Sequence, residues 1–258
     1  MAGSGSPVRR ERHGRALVVV LDRPEARNAV NQAMAEGIAA ALEELDADPG
    51  LAVGVLWGAG PGFSAGMDLR EIQEGGRSSV GDRGFAGIVR RSSEKPLIAA
   101  IEGFALAGGL EIALACDLIV AAEGARLGIP ETQRSLVAIG GALLRLPRRV
   151  PLGLASELAF TGEPIDASRG HDAGLVDRLA KPGRALELAL ELAERIGSNG
   201  PAAVRASKRV LREQAGWPEA EFWDLQAEIA EPVMRSEDAM EGARAFVERR
   251  EPRWREQS

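Results

Sequence analysis

The sequence predicts an α/β protein whose C-terminal third is mostly helical. Two observations lead to this prediction. Before Gly140, short β-branched runs that end at glycine or proline alternate with amphipathic helical stretches. From Gly140 onward, apolar residues recur mainly at helical spacing. The 258 residues are 45% hydrophobic and 27% charged, an ordinary balance for a globular chain. We therefore expect one α/β core with a helical extension packed on it.

The first β-α-β unit has the clearest local pattern. Residues 18–21 and 51–57 are apolar runs that end at proline and glycine breakers, so both predict strands. Between them, apolar residues recur at helical intervals, and Asn31 stands where a helix N-cap is expected. This stripe of an amphipathic helix consists of Met34, Ile38, Leu42 and Leu45.

Five further segments follow in order before Gly140. Residues 68–73 predict a short helix, and residues 75–84 are polar and rich in breakers, which predicts a mobile loop. Residues 97–101 predict a buried strand. An apolar helix over residues 108–116 and a strand over residues 117–121 complete the predicted α/β part.

The two ends of the chain differ in composition. The first residues lack the apolar segment of a secretory signal, and we expect a flexible lead over residues 1–12. An α/β core is expected over residues 13–198 and a helical region over residues 199–258. The predicted helices of the C-terminal half cover residues 152–160, 186–196, 204–211, 222–229 and 239–247.

The composition excludes several kinds of function. With 2 His, 1 Cys and no Tyr, the chain lacks the ligands of a zinc site, and no metal is expected. The net charge of −6 makes nucleic acid a poor partner. The charge-free residues 49–67 contain too many glycines and prolines for a membrane helix, so a cytoplasmic protein without a membrane partner is expected. Carboxylates and backbone groups must then carry any chemistry.

Two segments rich in small residues suggest a site for an anion. Residues 63–68 read FSAGMD, and residues 105–111 read ALAGGLE. Small side chains before a helix leave its first N–H groups open to a negatively charged group, and the helix dipole adds to the attraction. Two such amides directed at one point form an oxyanion hole. Glu111 lies one helical turn after Gly108 in an otherwise apolar helix, where a carboxylate is costly unless it has a function.

A serine hydrolase is the competing enzyme hypothesis. Residues 62–66 match the G-x-S-x-G nucleophile elbow with Ser64 as the nucleophile. Six residues separate the preceding predicted strand from Ser64, whereas an elbow turns directly from strand to helix. His171 is the one candidate base downstream, and it lies in a helix-like segment. The pattern therefore favours a surface histidine over a catalytic one.

Several ordered motifs resemble the crotonase, or enoyl-CoA hydratase/isomerase, superfamily over nearly the whole chain. The resemblance implies a spiral of β-β-α units, a helical C-terminal region that makes oligomer contacts, and a homotrimer or a dimer of trimers. It implies an acyl-CoA thioester as the substrate, with coenzyme A as part of that substrate and no separate cofactor. The motifs are residues 22–29 (DRPEARNA), 63–69 (FSAGMDL), 95–111 (KPLIAAIEGFALAGGLE), 116–118 (CDL), 128–131 (GIPE) and 242–249 (GARAFVER).

The resemblance also implies roles for individual residues. The backbone amides of Met67 and Gly108 correspond to the oxyanion hole, and Glu111 and Glu131 to the two catalytic glutamates. Retention of both glutamates points to hydration of a 2,3-enoyl-CoA, with Glu131 as base and Glu111 as acid as our hypothesis. Phe246 and Arg249 correspond to C-terminal positions that close the pocket, in some members from a neighbouring subunit. The positions around the CoA moiety correspond to Ala26, Arg27, Ala29, Ala65, Asp68 and Leu69.

Departures from the family pattern leave other functions open. Glu25 stands where a basic residue is common, and residues 137–141 (VAIGG) replace a Pro-Gly-x-Gly-Gly run. Ile139 replaces a glycine near the reacting carbons, which can narrow the pocket. An enoyl-CoA isomerase and a carnitinyl-CoA dehydratase-like enzyme remain alternatives within the family. A non-catalytic acyl-CoA-binding scaffold is the alternative from another class.

Overall fold

A computed structural model of the protein describes residues 6–255. The strands are β1 (Val8–His13), β2 (Ala16–Leu21), β3 (Val53–Gly58), β4 (Ser79–Val80), β5 (Gly84–Phe85), β6 (Leu97–Ile101), β7 (Phe104–Leu106), β8 (Leu118–Ala122), β9 (Arg126–Gly128), β10 (Ile165–Asp166) and β11 (Arg178–Ala180). The α-helices are α1 (Gln32–Ala47), α2 (Leu69–Gln73), α3 (Gly108–Ala115), α4 (Ala142–Arg149), α5 (Leu152–Thr161), α6 (Ala167–Asp172), α7 (Ala185–Gly197), α8 (Pro201–Glu213), α9 (Phe222–Met234) and α10 (Glu237–Glu248). Single 3-10 turns cover Pro24–Ala26, Gly81–Arg83, Pro130–Arg134, Gln214–Gly216 and Glu219–Glu221.

The main sheet has six strands in the order β1-β2-β3-β6-β8-β11. The hairpin of β1 and β2 is antiparallel, and every later neighbour in this sheet is parallel. A second sheet joins β7, β9 and β10, so the chain leaves the main sheet after β6 and again after β8 to add a strand there. These repeated strand, strand and helix units confirm the predicted α/β core and bring the turns after β7 and β9 to one end of the molecule.

The main sheet is buried on both faces because its strands alternate between two apolar cores. In β2, Leu17, Val19 and Leu21 face the core that contains α1 and α3. Val18 and Val20 face the opposite core, where α7 packs across the strands. Parallel sheets covered by helices on both sides show such continuous apolar runs, and this explains the β-branched runs in the sequence.

Helix α1 follows its sequence pattern closely. The four residues of the predicted stripe are fully buried against the sheet. Asn31 is the N-cap, and its side-chain oxygen accepts a hydrogen bond from the Met34 amide at 2.9 Å. A cap of this kind stabilises a helix by about 1 kcal/mol. Both predictions for this helix are confirmed.

The N-terminal segment differs from the flexible lead predicted over residues 1–12. Residues 8–12 belong to β1, an edge strand paired along its whole length with β2. Because backbone hydrogen bonds hold this strand, its side chains need not be apolar. Its arginines form ion pairs with acidic residues nearby. Arg10 contacts Glu44 at 2.8 Å, and Arg12 contacts Asp48 at 2.9 Å. Charged side chains also protect an exposed sheet edge from further pairing. Residues 1–5 lie outside the described part of the chain.

The C-terminal region is helical, as predicted, from α8 to α10. Helix α8 is attached to the core through Asp117. The carboxylate of Asp117 forms ion pairs with Lys208 at 2.8 Å and with Arg212 at 2.9 Å. Helix α4 is an element that the sequence analysis missed. Within residues 6–255, none of the helices has the length and apolar character needed to cross a bilayer.

Candidate active site

The two segments rich in small residues lie side by side. Residue Ser64 pairs with Ala105 in a parallel bridge, and the Leu106 amide donates to the Ser64 carbonyl at 3.0 Å. The helix that follows is packed so closely that a Cβ on Gly109 would lie 2.2 Å from the Ser64 oxygen. Parallel neighbours run to the same end, so the residues after both segments, Met67 and Gly108, arrive at one place.

The amides of Met67 and Gly108 have free N–H groups. In the part of the chain that the structure describes, neither N–H has a hydrogen-bond acceptor. Gly108 is the first residue of α3, where an amide has no partner inside the helix. Met67 lies beside Val30, whose own bonds go to the flanking residues Gly66 and Asp68. The Met67 N–H therefore points away from Val30, as alternation along an extended strand requires.

Two backbone features allow this close approach. Gly66 has a φ of +91°, and a Cβ there would lie 2.7 Å from the Gly108 nitrogen. Ala107, the residue before α3, has a φ of +53°, which is unfavourable for alanine. Its amide donates to the Gly128 carbonyl at 2.9 Å, and this bond helps to hold the strained turn. Strain of this kind costs about 1–3 kcal/mol and is concentrated at functional sites.

Glu111 is buried in the first turn of α3, and its side chain is held by the turn before α4. The residue is only 4% exposed, and its Oε1 accepts a hydrogen bond from the Ala142 amide at 3.1 Å. A Cβ on Gly140 would lie 2.3 Å from Oε2, so a larger residue there would displace the carboxylate from this position. Burial raises the pKa of Glu111, while the backbone amides of residues 140–142 and the charge of Arg145 act in the opposite direction.

Glu131 lies in the 3-10 turn Pro130–Arg134 that follows β9. Its Oε2 is buried and has no hydrogen-bond partner among the described residues. Burial raises the pKa of Glu131 to about 7, and the nearby Glu111 carboxylate adds to the shift. The turn itself is fixed to the end of α5, because the Gln133 side chain donates to the Gly162 carbonyl at 3.0 Å.

The two carboxyl groups therefore form an unequal pair. Backbone N–H groups of residues 140–142 favour the ionised form of Glu111, whereas Glu131 has its own amide acting in this direction and its buried Oε2 has no donor among the described residues. Close carboxylates titrate together, and one is protonated while the other is ionised. An ionised and a protonated carboxyl group on one site are the components of general acid-base catalysis near neutral pH.

The residues predicted around the CoA moiety lie on two adjoining stretches. Ala26, Arg27 and Ala29 belong to the turn after β2, while Ala65, Asp68 and Leu69 belong to the stretch that leads into α2. The Ala65 amide donates to the Arg27 carbonyl at 3.0 Å, which joins the two stretches.

Charged side chains strengthen this junction. The Arg27 guanidinium lies 4.5 Å from the centre of the Phe104 ring. Arg23 forms an ion pair with Asp68 at 3.0 Å and also donates to the Ala29 carbonyl at 2.6 Å. These contacts join the turn after β2 to the stretch that contains Ala65 and Asp68.

Asn28 is a residue of this turn that sequence reasoning missed. Its buried side chain donates to the carbonyls of Ala59 and Gly62, each at 2.9 Å, and accepts from the Arg23 amide at 2.9 Å. It also adopts a left-handed φ of +52°, which asparagine tolerates better than most residues. Asn28 thus ties the turn after β2 to the loop that carries Ser64. In the sequence, the tolerance of asparagine for left-handed conformations is the hint at this role.

Phe246 and Arg249 are not brought to the carboxylate pair within this chain. Phe246 is 85% exposed on α10, and Arg249 ends that helix with a left-handed φ of +54°. In the described chain, neither residue forms a hydrogen bond or ring contact with Glu111 or Glu131. Their predicted role in closing the pocket stays a prediction.

The family model for enoyl-CoA hydratase/isomerase matches residues 11–257 of the chain. The chain belongs to this family. It is 41% identical over 256 residues to the enoyl-CoA hydratase EchA19 of Mycobacterium tuberculosis, covering 96% of each protein. It is 36% identical to the carnitinyl-CoA dehydratase of Salmonella heidelberg, covering 95% of this chain and 96% of that protein. The crystal structure of the enoyl-CoA hydratase EchA1 from Mycobacterium marinum is similar with a TM-score of 0.96 and 50% identity, covering 98% of this chain and 100% of that one.

These similarities confirm the crotonase-like α/β fold predicted from the motifs. The contacts of Ser64 and His171 argue against the serine hydrolase alternative. Ser64 is fully buried, and its hydroxyl donates to the Asn28 carbonyl at 2.8 Å and accepts from the Gly66 amide at 3.1 Å. His171 Nδ1 is bonded instead to the Val176 carbonyl oxygen at 2.9 Å. Ser64 is therefore a structural residue in this chain, because its buried hydroxyl bonds to the turn and is not accessible.

Proposed function

We propose that this protein adds water across the double bond of a 2,3-enoyl-CoA thioester. The observation that carries the proposal is the unequal pair of carboxyl groups, the buried Glu111 and the half-buried Glu131. Two free N–H groups support it further, that of Gly108 at the start of the helix that carries Glu111 and that of Met67 on the neighbouring segment before α2. The chain's similarity to enoyl-CoA hydratases agrees with this chemistry.

The two amides serve the thioester oxygen. When water attacks C3, negative charge develops on that oxygen as the thioester becomes an enolate. Preorganised N–H donors stabilise such charge by several kcal/mol in a site that excludes water. Met67 and Gly108 supply these donors without cost at the moment of reaction, because strained and glycine-rich turns already hold them in place.

The contacts of the glutamates favour the reverse of the acid and base roles expected from the sequence. Glu111 accepts a hydrogen bond from the Ala142 amide, which suits an ionised base that takes a proton from the attacking water. Glu131 has a pKa raised to about 7 and a buried oxygen without a partner, which suits the acid that protonates C2. One proton leaves water and one reaches C2, so the net change is the addition of one water molecule. The coenzyme enters as part of the substrate, and the proposed steps use no other cofactor.

A carnitinyl-CoA dehydratase-like reaction is the second candidate. Ile139 is 83% exposed and directly precedes Gly140, which contacts the Glu111 carboxylate. We infer that a large apolar side chain at this position affects which acyl groups bind beside Glu111. The 36% identity to a carnitinyl-CoA dehydratase makes a polar or branched acyl group a specific alternative to a straight chain.

The decisive measurement is the loss of conjugated-thioester absorbance of crotonyl-CoA and longer enoyl-CoAs, alongside carnitinyl-CoA dehydration. We expect Glu111→Gln and Glu131→Gln each to lower hydration by about 10²–10⁴-fold, the usual contribution of an acid or base. Thermal unfolding of both variants shows that they are folded. Wild-type rates in both variants would exclude the proposed mechanism. Binding of acyl-CoA without turnover of any substrate would favour the non-catalytic scaffold.

A further inference from the structure

A half-buried cation, Arg145, lies on the far side of the turn that holds Glu111. Arg145 is in the first turn of α4, and its Nη1 donates to the Gly140 carbonyl at 3.4 Å. Its Nη2 donates to the Val89 carbonyl. The fit is close, because a Cβ on Gly141 would lie 2.1 Å from Nη1. The guanidinium therefore fastens the turn of residues 140–142 to the segment after β5.

The opposite side of this turn contacts the Glu111 carboxylate. The Ala142 amide donates to Oε1 at 3.1 Å, and Gly140 lies directly against Oε2. No hydrogen bond or ion pair joins Arg145 to Glu111 directly among the described residues. Arg145 thus acts on the carboxylate in two ways, by holding the turn that supplies the N–H donor and by its positive charge.

The charges around the pair come from several elements. Glu111 faces Glu131 from the 3-10 turn after β9 and Arg145 from α4. Arg145 in turn faces Arg212 from α8, Arg148 from its own helix and Cys116 at the end of α3. Among these groups, the charge of Arg145 is the one that acts on Glu111 to lower its pKa, against the larger effect of burial.

We propose that Arg145 is a positioning residue that keeps Glu111 ionised and in place as the catalytic base. This inference rests on the proposed hydration. The shape of the guanidinium contributes as well as its charge. Its two terminal nitrogens donate to the carbonyls of Gly140 and Val89 at the same time. A lysine retains the positive charge but cannot span both carbonyls.

The test compares Arg145→Gln, Arg145→Lys and the control Arg148→Gln, which removes an exposed charge from the same helix. The readout is the pH dependence of kcat/KM for the enoyl-CoA that the wild type turns over best. Loss of the Arg145 charge raises the pKa of the base, so the acid limb of the Arg145→Gln profile is expected at higher pH. Its loss of activity should be several-fold greater at pH 5.5 than at pH 8. Arg145→Lys should lie between this variant and the wild type, and Arg148→Gln should follow the wild type.

A second readout needs no substrate. Carboxyl titration by ¹³C NMR, with the Glu111 signal assigned by its loss in Glu111→Gln, should show Glu111 ionising at higher pH in Arg145→Gln. An unchanged titration and acid limb in folded Arg145→Gln, or an equal shift in Arg148→Gln, would overturn the inference. If the wild type hydrates no acyl-CoA, the proposed hydration fails while the titration still decides the electrostatic role of Arg145.

Discussion

Glu131 holds a position that is unfavourable for folding. Its buried Oε2 has no hydrogen-bond partner in the described chain, and burial is the main reason that its pKa rises to about 7. The ionised form is therefore less stable in the folded protein than in the unfolded chain. Functional groups commonly lower stability in this way, because the environment that adjusts their chemistry does not suit their charge.

Replacing this carboxylate with a neutral group should stabilise the fold at alkaline pH. A raised folded-state pKa leaves stability unaffected below the unfolded value near 4.5 and reduces it as pH rises through about 7. We expect Glu131→Gln to increase the free energy of unfolding by about 1–2 kcal/mol at pH 8, a value reduced for partial solvent exposure. Chemical denaturation at pH 8 and pH 5 measures the difference, which should shrink at pH 5. Equal effects at both pH values would show that the carboxylate is not destabilised by burial.

At the scale of elements, the pattern of side chains predicts helices and strands that pack against a core. It does not predict elements that are held mainly by backbone hydrogen bonds. Helix α1 is predicted correctly because its four buried apolar residues recur at helical spacing. Strand β1 is missed because it lies at the sheet edge, where backbone pairs suffice and its side chains are charged. Helix α4 is missed because only Ala142 and Leu146 are buried, while its other leucines are exposed.

In the candidate site, the sequence likewise predicts local relations but not contacts between distant residues. The sequence predicts that Gly108 and Glu111 lie one turn apart on the same helix, because only their local spacing is needed for this prediction. The contact of Glu111 with the turn before α4 joins residues 31 positions apart, and the hydrogen bond from Asn28 to Gly62 joins residues 34 positions apart. Such contacts depend on how the elements pack, and no local pattern records them. The contacts of Arg145 could not be predicted from the sequence for the same reason.

The junction between the Ser64 segment and α3 should tolerate no added side chain. A Cβ on Gly109 would lie 2.2 Å from the Ser64 carbonyl oxygen, so the backbone that leads to Met67 must move. We expect Gly109→Ala to lose about 1–3 kcal/mol of stability and to lower the hydration rate strongly, because the two amides lose their common direction. Denaturation and the absorbance assay measure the two effects.

Gly153 supplies a matched control on another helix. A Cβ at this glycine of α5 meets no atom within 4 Å, and alanine is the better helix former by about 1 kcal/mol. Gly153→Ala should therefore keep or increase stability and retain activity. If Gly109→Ala behaves like this control, the close approach of α3 to the Ser64 segment is not required.

For the whole molecule, the described surface exposes many large apolar side chains. Large apolar side chains are exposed in two regions, one around α4 and α5 and the other on α8–α10. Where such residues form a contiguous patch, a subunit interface is a common explanation, and this motivates a prediction about assembly. The exposed residues include Leu143, Leu144, Leu152, Phe160, Leu211, Trp223, Met234, Met240, Phe246 and Val247.

We expect the 27.3 kDa chain to sediment as a trimer or a dimer of trimers, with Phe246 of one subunit closing the acyl-CoA pocket of another. Phe246→Asp should then raise KM far more than it lowers kcat, provided that sedimentation shows the assembly intact. Mixed assemblies test whether Phe246 acts on the pocket of its own subunit or on the pocket of another. Phe246→Asp subunits retain both glutamates, while Glu111→Gln subunits retain Phe246, so co-assembly should restore part of the activity that each lacks alone. A monomeric wild type, or mixed assemblies with no gain over the separate variants, would show that the pocket is complete within one chain.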